Sequence, residues 1–250
     1  MHLRFYLYGH FTLPQKNAPV EYVRIPSVTK SPVLVLASNS PRRRELLSLG
    51  GWMFHVRPAD VDESLRSGET PRAYVLRLAE SKARACAKTS RPGETIVAAD
   101  TTVTVDGDIL GKPRSTAEAV TMLHRLRGRS HQVCTGIAVL ELDSDKLLPE
   151  LCITAVPMRS YTDEEMQAYA LTGDPLDKAG AYAIQHTGFH PVESLSGCYA
   201  SVMGLPLCHL TRSLRAVDIS PTTDIPAECQ SALQYNCPIH SRVLGGEEIG

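Results

Sequence analysis

The feature that most restricts the fold is a short apolar run, Val-Leu-Val-Leu at 33–36, followed at once by a polar turn. Four consecutive apolar residues are typical of a strand covered on both faces in the central sheet of an α/β protein. The turn, 38–41 (Ser-Asn-Ser-Pro), supplies a helix N-cap and a proline at the first helical position. The helix is predicted to continue through Leu46 and Leu47 and to end at 50–51, a Gly-Gly pair. We therefore predict an α/β fold whose first strand leads directly into a helix N-terminus.

Later signals predict a mixed sheet with flanking helices. Thr70-Pro71 begins a longer helix, Asp106-Gly107 turns a strand into a hairpin, and capping boxes begin helices after Ser115 and Thr162. The predicted elements are a helix from 70 to about 88, a strand 95–105 with its hairpin to 110, a helix from 115 to 128, antiparallel strands 131–142 and 151–160, a helix from 162 to 173, and a last helix from 206 to about 217.

The chain is predicted to consist of one folded domain between two extensions. Residues 1–31 carry scattered proline, glycine and charge without a sustained period, and residues 218–250 likewise show no periodic pattern. We assign 1–31 as an N-terminal extension, 32–217 as the domain and 218–250 as a C-terminal tail.

Composition excludes several classes of protein. With 26 basic and 27 acidic residues, the formal net charge of -1 gives no overall attraction to nucleic acid or membranes, and no window resembles a membrane span or a signal peptide. The seven cysteines are odd in number and form no C-x-x-C pair, which favours neither a disulfide framework nor a zinc site. We expect a cytoplasmic protein that binds neither nucleic acid nor membrane.

The turn after the first strand is a candidate phosphate site. Backbone N–H groups at a helix N-terminus favour anions, and Ser38, Ser40, Arg42 and Arg43 surround that position. Guanidinium groups grip phosphate oxygens in pairs while hydroxyls donate single bonds. A capped helix with a solvated basic face explains the same residues, and the turn lacks the glycines of a P-loop.

A carboxylate inside a predicted buried strand marks a second candidate. Asp100 interrupts the apolar run of its strand, where it is costly unless it binds a metal, pairs with a cation or acts as a base. Together with Asp60, Asp62 and Glu63 in an earlier loop, it offers the oxygen ligands that Mg²⁺ or Mn²⁺ prefers. A structural ion pair and a solvated acidic loop are the alternatives.

Three further positions have both a functional and a structural interpretation. Lys82, beside the apolar stripe of the second helix, and Lys112, at the hairpin exit between Gly111 and Pro113, are candidate site residues that could also be ordinary surface lysines. The run 177–185 combines charges with small residues, as in a pocket or a tight turn, and its last residue, Gln185, complements the imide edge of uracil or thymine. A Ser-His-Asp site based on His131 is disfavoured because no G-x-S-x-G motif occurs.

Taken together, these residues resemble the Maf family of nucleotide pyrophosphatases from about Val33 to Leu214. The motifs that carry the resemblance are Ser38-Asn39-Ser40-Pro41-Arg42-Arg43, Lys82-Ala83, Ala99-Asp100-Thr101, Gly111-Lys112-Pro113, the run from Asp177 to Gln185, and Gly204-Leu205-Pro206. Several ordered motifs are far more specific than any one of them. The chain departs from the family pattern at His186, at 189–191 and in both extensions.

The resemblance implies a fold like that of inosine triphosphate pyrophosphatases: a curved mixed sheet with flanking helices, two lobes around a nucleotide cleft, and often a homodimer. It also implies a divalent cation, Mg²⁺ or Mn²⁺. The site residues it implies are Asp100, Lys82, Glu63 and Lys112 for catalysis, Arg42, Arg43, Thr101 and Gln185 for substrate binding, and Asp100 and Glu63 for the metal. Ser38 and Ser40 join the substrate-binding group from their place at the helix N-terminus.

The resemblance favours the branch that hydrolyses dTTP and UTP, or modified pyrimidine nucleotides, to the monophosphate and pyrophosphate. Arg42, Thr101 and Gln185 match the substrate-selecting positions of that branch. The alternatives are a pyrophosphatase for 7-methyl-GTP or non-standard purine triphosphates, and a non-catalytic nucleotide-binding regulator of division.

Overall fold

The computed structural model describes residues 33–250, so the predicted extension 1–31 lies outside the described part. The strands are β1 (Val33–Leu36), β2 (Phe54–Val56), β3 (Glu94–Val105), β4 (Asp108–Leu110), β5 (Ser130–Glu141) and β6 (Lys146–Pro157). The helices are α1 (Pro41–Ser48), α2 (Pro71–Ala87), α3 (Thr116–Leu126), α4 (Asp163–Leu171), α5 (Tyr199–Met203), α6 (Leu207–Arg215), α7 (Ile225–Leu233) and α8 (His240–Leu244), with 3₁₀ turns at Asp174–Asp177 and Ala179–Ala181.

The six strands form one mixed sheet, which confirms the predicted α/β class. Five strands lie in the order β2-β1-β3-β5-β6, and β4 pairs with β3. β1 is parallel to both β2 and β3, whereas β5 is antiparallel to β3 and β6. Among residues 33–250, no helix is both long enough and apolar enough to cross a membrane.

The central strand β3 has two different neighbours on one of its sides. Residues 94–97 pair with β1, and residues 103–105 pair with β4, while β5 runs along the other side from 95 to 104. Within the described chain, residues 98–102 therefore have no strand beside them on the β1 side. The turn that follows β1 opens into this gap, which brings Asp100 and Thr101 close to the start of α1.

Successive side chains of β3 point to opposite faces of the sheet, as in every strand. Ile96 and Ala98 pack with Ala79 and Ala83 of α2 in one hydrophobic cluster, while the odd-numbered residues of the same stretch, such as Val97, pack on the opposite face. Asp100 continues the even series, so its side chain lies on the α2 face.

Gly136 lets α2 approach the sheet closely beside Asp100. It pairs directly with Asp100 across β3 and β5, and a Cβ atom at this position would lie 2.6 Å from the Val75 carbonyl oxygen. Any side chain would press on the helix backbone, which cannot move aside as a flexible side chain can. The glycine thus sets the separation between α2 and the strand that carries Asp100.

Two hydrophobic clusters meet at a cleft, which corresponds to the two lobes expected from the family resemblance. One cluster contains Val103, Val133 and Tyr182, and the other contains Met203 and the apolar residues of α1 and α6. Side chains of both clusters line the same cleft.

The C-terminal segment is more ordered than its sequence suggested, since residues 218–250 contain α7 and α8 where we expected no regular element. Ile225 and Val243 are buried in the larger core cluster, and the Trp52 indole donates a hydrogen bond to the Ser220 carbonyl oxygen (3.1 Å). Near the C-terminus, His209 Nε2 lies 2.9 Å from the Ile249 carbonyl oxygen. Both helices are short and bury few residues each, which left too little pattern to detect.

Strand β6 also differs from expectation, because it begins at Lys146 and not at 151. Its first residues, including Pro149 and Glu150, read as a loop in the sequence. β6 lies at the edge of the sheet, and an edge strand tolerates proline because one side of its backbone needs no partner. The short elements β2 and α5 were not predicted.

Replacing Gly136 with alanine is expected to destabilise the protein by about 1–3 kcal/mol, since the added methyl group would overlap the α2 backbone. Urea unfolding followed by circular dichroism would measure this. Gly111→Ala is the matched control, because a Cβ at Gly111 meets nothing within 4 Å. Equal stabilities of the two variants would contradict the close helix approach.

Candidate active site

The cleft at the gap in β3 has a volume of about 420 Å³ and collects nearly all the predicted site residues. Nine of the ten line it: Ser38, Ser40, Arg42, Arg43, Glu63, Lys82, Thr101, Lys112 and Gln185. Asp100 is the exception: it is buried, and it contacts Lys82, which does line the cleft. These residues lie on six separate segments of the sequence, and the fold brings them together.

The turn after β1 is held by its own serines. Ser40 is the N-cap of α1, and its Oγ accepts a hydrogen bond from the Arg43 backbone N–H (3.4 Å). Ser38 Oγ accepts from the Ser40 N–H (3.2 Å) and from Arg43 Nη1 (3.4 Å). Capping therefore fixes the hydroxyls and the guanidinium on one side of the cleft, so the capped-helix and phosphate-site interpretations are compatible.

Arg43 is clamped by residues that are distant in sequence. Its Nε donates to the Gly204 carbonyl oxygen (2.8 Å) and its Nη2 donates to Thr101 Oγ1 (3.1 Å). Burial lowers the pKa of Arg43, and the negative charge of Asp100 partly offsets this. Gly204 has a φ of 111° and ends α5, a backbone conformation that favours glycine. Sequence reasoning gave Gly204 no role of its own.

Lys82 joins the two carboxylates of the site. Its Nζ lies 2.6 Å from Asp100 Oδ1 and 2.6 Å from Glu63 Oε1. With 9% exposure, Lys82 is not the ordinary surface lysine that its sequence also allowed. Asp100 does form the ion pair that was its alternative interpretation, and this pair borders the cleft.

The environments of the two carboxylates shift their pKa values in opposite directions. Burial raises the pKa of Asp100, against the lowering effect of Lys82 and Arg43. Burial also acts to raise the pKa of Glu63, but its hydrogen bond to Lys82 and the charges of Lys82, Lys112 and Arg43 bring it below the ordinary value. Asp100 is thus the better proton acceptor of the pair, while Glu63 stays ionised.

The loop that carries Glu63 is tied to α2. The Tyr74 hydroxyl donates to the Glu63 carbonyl oxygen (2.9 Å), and Arg77 Nη2 donates to the Ser64 carbonyl oxygen (3.1 Å). Asp62 is used locally, since its Oδ1 accepts from the Ser64 N–H (2.9 Å). Neither Asp60 nor Asp62 lines the cleft, so Glu63 is the only residue of that acidic group that the structure brings to the site.

The run 177–185 forms the opposite wall of the cleft. Lys178 is buried, and its Nζ donates to Asp174 Oδ1 (2.9 Å) and Asp177 Oδ1 (2.6 Å). Gly180 has a φ of 70° and packs so closely that a Cβ would lie 2.8 Å from Val103. This tight turn is also pocket wall, and it ends at the exposed amide of Gln185.

Two departures from the family pattern have structural roles beside this wall. His186 Nδ1 accepts a hydrogen bond from the Phe189 N–H (2.9 Å). The Phe189 ring stacks on Tyr169 with a centroid distance of 4.3 Å, and Tyr169 also donates to Asp174 Oδ2 (2.7 Å). These residues support the segment behind Gln185 and do not line the cleft themselves.

One residue that supports the site was missed entirely. Thr135, on β5, is fully buried, and its Oγ1 lies 2.9 Å from Thr101 Oγ1. It also donates to the Ser201 carbonyl oxygen (2.9 Å). A threonine in a strand is ordinary in sequence, so no local signal distinguished it.

Comparison with known proteins identifies the family. A model described as "Maf-like protein" matches residues 33–217. The dTTP/UTP pyrophosphatase of Geotalea uraniireducens is 47% identical over 182 residues, which cover 73% of this chain and 93% of that protein. This chain belongs to the Maf family. The dTTP/UTP pyrophosphatase of Geobacter sulfurreducens is 46% identical over 184 residues, covering 74% of this chain and 96% of that protein.

Among solved structures, the Maf chain is similar to the Ham1 protein of Staphylococcus aureus. The two are 17% identical, with a TM-score of 0.42 over 65% of this chain and 81% of that one. A dITP/XTP pyrophosphatase of Mycobacterium abscessus gives a TM-score of 0.36 at 15% identity, over 74% of this chain and 94% of that one. Because both scores are low, the fold assignment depends on the sheet topology and the family match.

His131 has a structural role in this Maf chain and is not a catalytic base. It is buried, its Nε2 lies 2.8 Å from the Tyr182 hydroxyl, and burial lowers its pKa to about 4. Above pH 6.5 His131 is neutral in both the folded and the unfolded chain, so its burial costs no stability there. Below pH 6.5 the unfolded chain takes up a proton that the folded protein does not bind until about pH 4, so the free energy of unfolding falls as pH falls towards 4.

We therefore expect His131→Gln to reduce the fall in the free energy of unfolding that the wild type shows at acidic pH. Between pH 6.5 and 4, the wild type should lose on the order of 3 kcal/mol more than the variant, because only the wild type carries this titration. Urea unfolding at a series of pH values gives both profiles. Parallel profiles would show that His131 is not held neutral in the folded protein.

Proposed function

We propose that this chain is a nucleoside triphosphate pyrophosphatase that converts dTTP and UTP into the monophosphate and pyrophosphate. The observation that carries the proposal is the Lys82 ammonium between two carboxylates, Asp100 and Glu63, at the edge of a cleft lined by arginines and serines. The relatives named dTTP/UTP pyrophosphatase support the choice of substrate. A homodimer and a cytoplasmic location stay predictions.

The cleft suits a triphosphate because its polar lining is mainly cationic. Arg42, Arg43, Lys82 and Lys112 line it, with Glu63 as the acidic member among the predicted site residues. Guanidinium and ammonium groups stabilise the charge that grows on a leaving pyrophosphate. Since Arg43 is already oriented by the Gly204 carbonyl, little ordering of that side chain is needed when substrate binds.

The two carboxylates also fit a divalent cation shared with the substrate. Both approach one Nζ at 2.6 Å, so they are close enough to serve one cation, although residues 33–250 hold no group of three or more acidic, histidine or cysteine side chains arranged for a metal. Mg²⁺ commonly takes one or two protein carboxylates and completes its shell with phosphate oxygens and water. Bound there by Asp100 and Glu63, such an ion would neutralise phosphate charge and acidify a bound water.

The protein's part in the reaction is to position groups and accept a proton. A water oxygen bonds to the α-phosphorus, the bond from that phosphorus to the α,β-bridging oxygen breaks, and pyrophosphate leaves with the electron pair. Asp100, with its raised pKa, takes the water's proton. Lys82 keeps the Asp100 carboxylate oriented through its 2.6 Å contact. Because Lys82 also lines the cleft, its ammonium would stabilise negative charge that develops there.

Base selection is assigned to Thr101, Arg42 and Gln185. Gln185 is exposed at the cleft, and its amide offers an N–H donor beside a carbonyl acceptor, which matches the imide edge of uracil and thymine. A pyrophosphatase for 7-methyl-GTP or non-standard purines would use the same amide on a purine edge. These alternatives are separated by competing substrates in one assay.

Asp100→Asn is expected to lower kcat by a factor of roughly 10²–10⁴, because the amide cannot accept the proton. Pyrophosphate release is measured from dTTP, UTP, CTP, 7-methyl-GTP and ITP, with Mg²⁺ or Mn²⁺. Asp108→Asn is the matched control, since Asp108 is exposed on β4, does not line the cleft, and its carboxylate pairs with Arg125 (2.9 Å).

Pyrimidine turnover that is lost in Asp100→Asn and kept in Asp108→Asn would support the proposal. Preferred turnover of 7-methyl-GTP or ITP would transfer the assignment to the purine alternative. If the wild type binds nucleotide stoichiometrically but does not turn it over with either metal, the enzyme hypothesis is wrong and the non-catalytic nucleotide-binding regulator is favoured.

A further inference from the structure

A chain of three hydrogen bonds runs from the cleft into the core. Arg43 Nη2 donates to Thr101 Oγ1 (3.1 Å), Thr101 Oγ1 lies 2.9 Å from Thr135 Oγ1, and Thr135 Oγ1 donates to the Ser201 carbonyl oxygen (2.9 Å). Thr135 and Thr101 are cross-strand partners in β5 and β3. Thr101 lines the cleft, whereas Thr135 is fully buried.

The direction of every bond in this chain follows from counting protons. A carbonyl oxygen only accepts, so the single hydroxyl proton of Thr135 is committed to Ser201. Thr135 therefore accepts at its other contact, and the Thr101 hydroxyl must be the donor there. The Arg43 guanidinium only donates, so it occupies one lone pair of Thr101. Thr101 keeps one lone pair and no proton for a ligand.

A ligand in the cleft thus meets Thr101 as an acceptor only. Ionised phosphate oxygens are also acceptors, so Thr101 cannot bind the triphosphate by a hydrogen bond. The donors that dTTP and UTP share are the imide N3–H of the base and the 3′-hydroxyl of the sugar. Cytosine differs from uracil at this point because its N3 is an acceptor.

We propose that Thr135 is a positioning residue that fixes Thr101 as a hydrogen-bond acceptor for a donor group of the substrate's nucleoside. The inference rests on the proposed function and adds a physical cause for its selectivity. A substrate that offers a donor gains a hydrogen bond at Thr101, and one that offers an acceptor is left with two facing lone pairs. The hydroxyl of a buried core residue, which never touches the substrate, sets this preference.

The test compares Thr135→Val with Thr135→Ser. Valine has nearly the shape of threonine without the hydroxyl, so the Thr101 proton becomes free to rotate towards the ligand. Serine retains the hydroxyl and is the matched control. We would measure kcat and KM for UTP, CTP and 3′-deoxy-UTP with each protein.

In the wild type we expect kcat/KM to be higher for UTP than for at least one of the two analogues. A lower kcat/KM for CTP would identify the imide N3–H as the donor, and a lower kcat/KM for 3′-deoxy-UTP would identify the sugar hydroxyl. If the donor is the imide, Thr135→Val should reduce the UTP to CTP ratio roughly 5- to 10-fold, the effect of about one neutral hydrogen bond, mainly through a lower KM for CTP. If the donor is the sugar, the ratio to 3′-deoxy-UTP should fall instead. Thr135→Ser should keep the wild-type ratios.

Three results would overturn the proposal: no discrimination by the wild type against either analogue, unchanged ratios in Thr135→Val, or equal changes in Thr135→Val and Thr135→Ser. If Thr135→Val does not fold, Thr101→Val tests the same acceptor, and unchanged ratios in that variant contradict it. A wild type that releases no pyrophosphate from any nucleotide would sink the proposed function itself, which is a separate outcome.

Discussion

The site depends on one buried ion pair, Lys82 with Asp100, at the stretch of β3 that has no strand neighbour on the β1 side. A carboxylate inside a sheet is stable only with a partner, and removing one member of a buried pair commonly costs several kcal/mol. The partner here comes from a helix that packs on the same face. The cost of burying Asp100 is thereby offset by a group that also lines the cleft.

Several distant features serve this arrangement. Gly136 allows α2 to lie close enough for Lys82 to reach Asp100, because it sits opposite Asp100 in the neighbouring strand. Alternation along β3 sends Asp100 towards α2 and Thr101 towards Arg43. One pair of adjacent residues therefore contacts both halves of the site, Asp100 reaching Lys82 on one face of β3 and Thr101 reaching Arg43 on the other.

Much of this could be predicted because the signals are local. The apolar run of β1, the serine N-cap and proline of α1, and the Asp106-Gly107 turn each specify their structure within a few residues. The position of Asp100 inside an apolar strand also indicated a functional group before any geometry was known. The site residues then followed from motifs that resemble those of a family.

The rest required three-dimensional contacts. Thr135 lies 34 residues from Thr101 in the chain, and Gly204 lies 161 residues from Arg43, so no window contains either pair. The helices α7 and α8 are held by single buried residues such as Ile225 and Val243, which is too few for a periodic pattern. Asp62 looked equivalent to Glu63 in sequence, but a backbone hydrogen bond to Ser64 uses its carboxylate locally.

Hydrolysis of UTP in ¹⁸O-labelled water, followed by mass spectrometry of both products, tests the central claim most directly. The account predicts a single labelled oxygen in the monophosphate and none in the pyrophosphate, because the water bonds to the α-phosphorus beside Asp100 and Lys82. Label in the pyrophosphate, or release of orthophosphate with a nucleoside diphosphate, would mean that a different phosphorus is attacked and would contradict it.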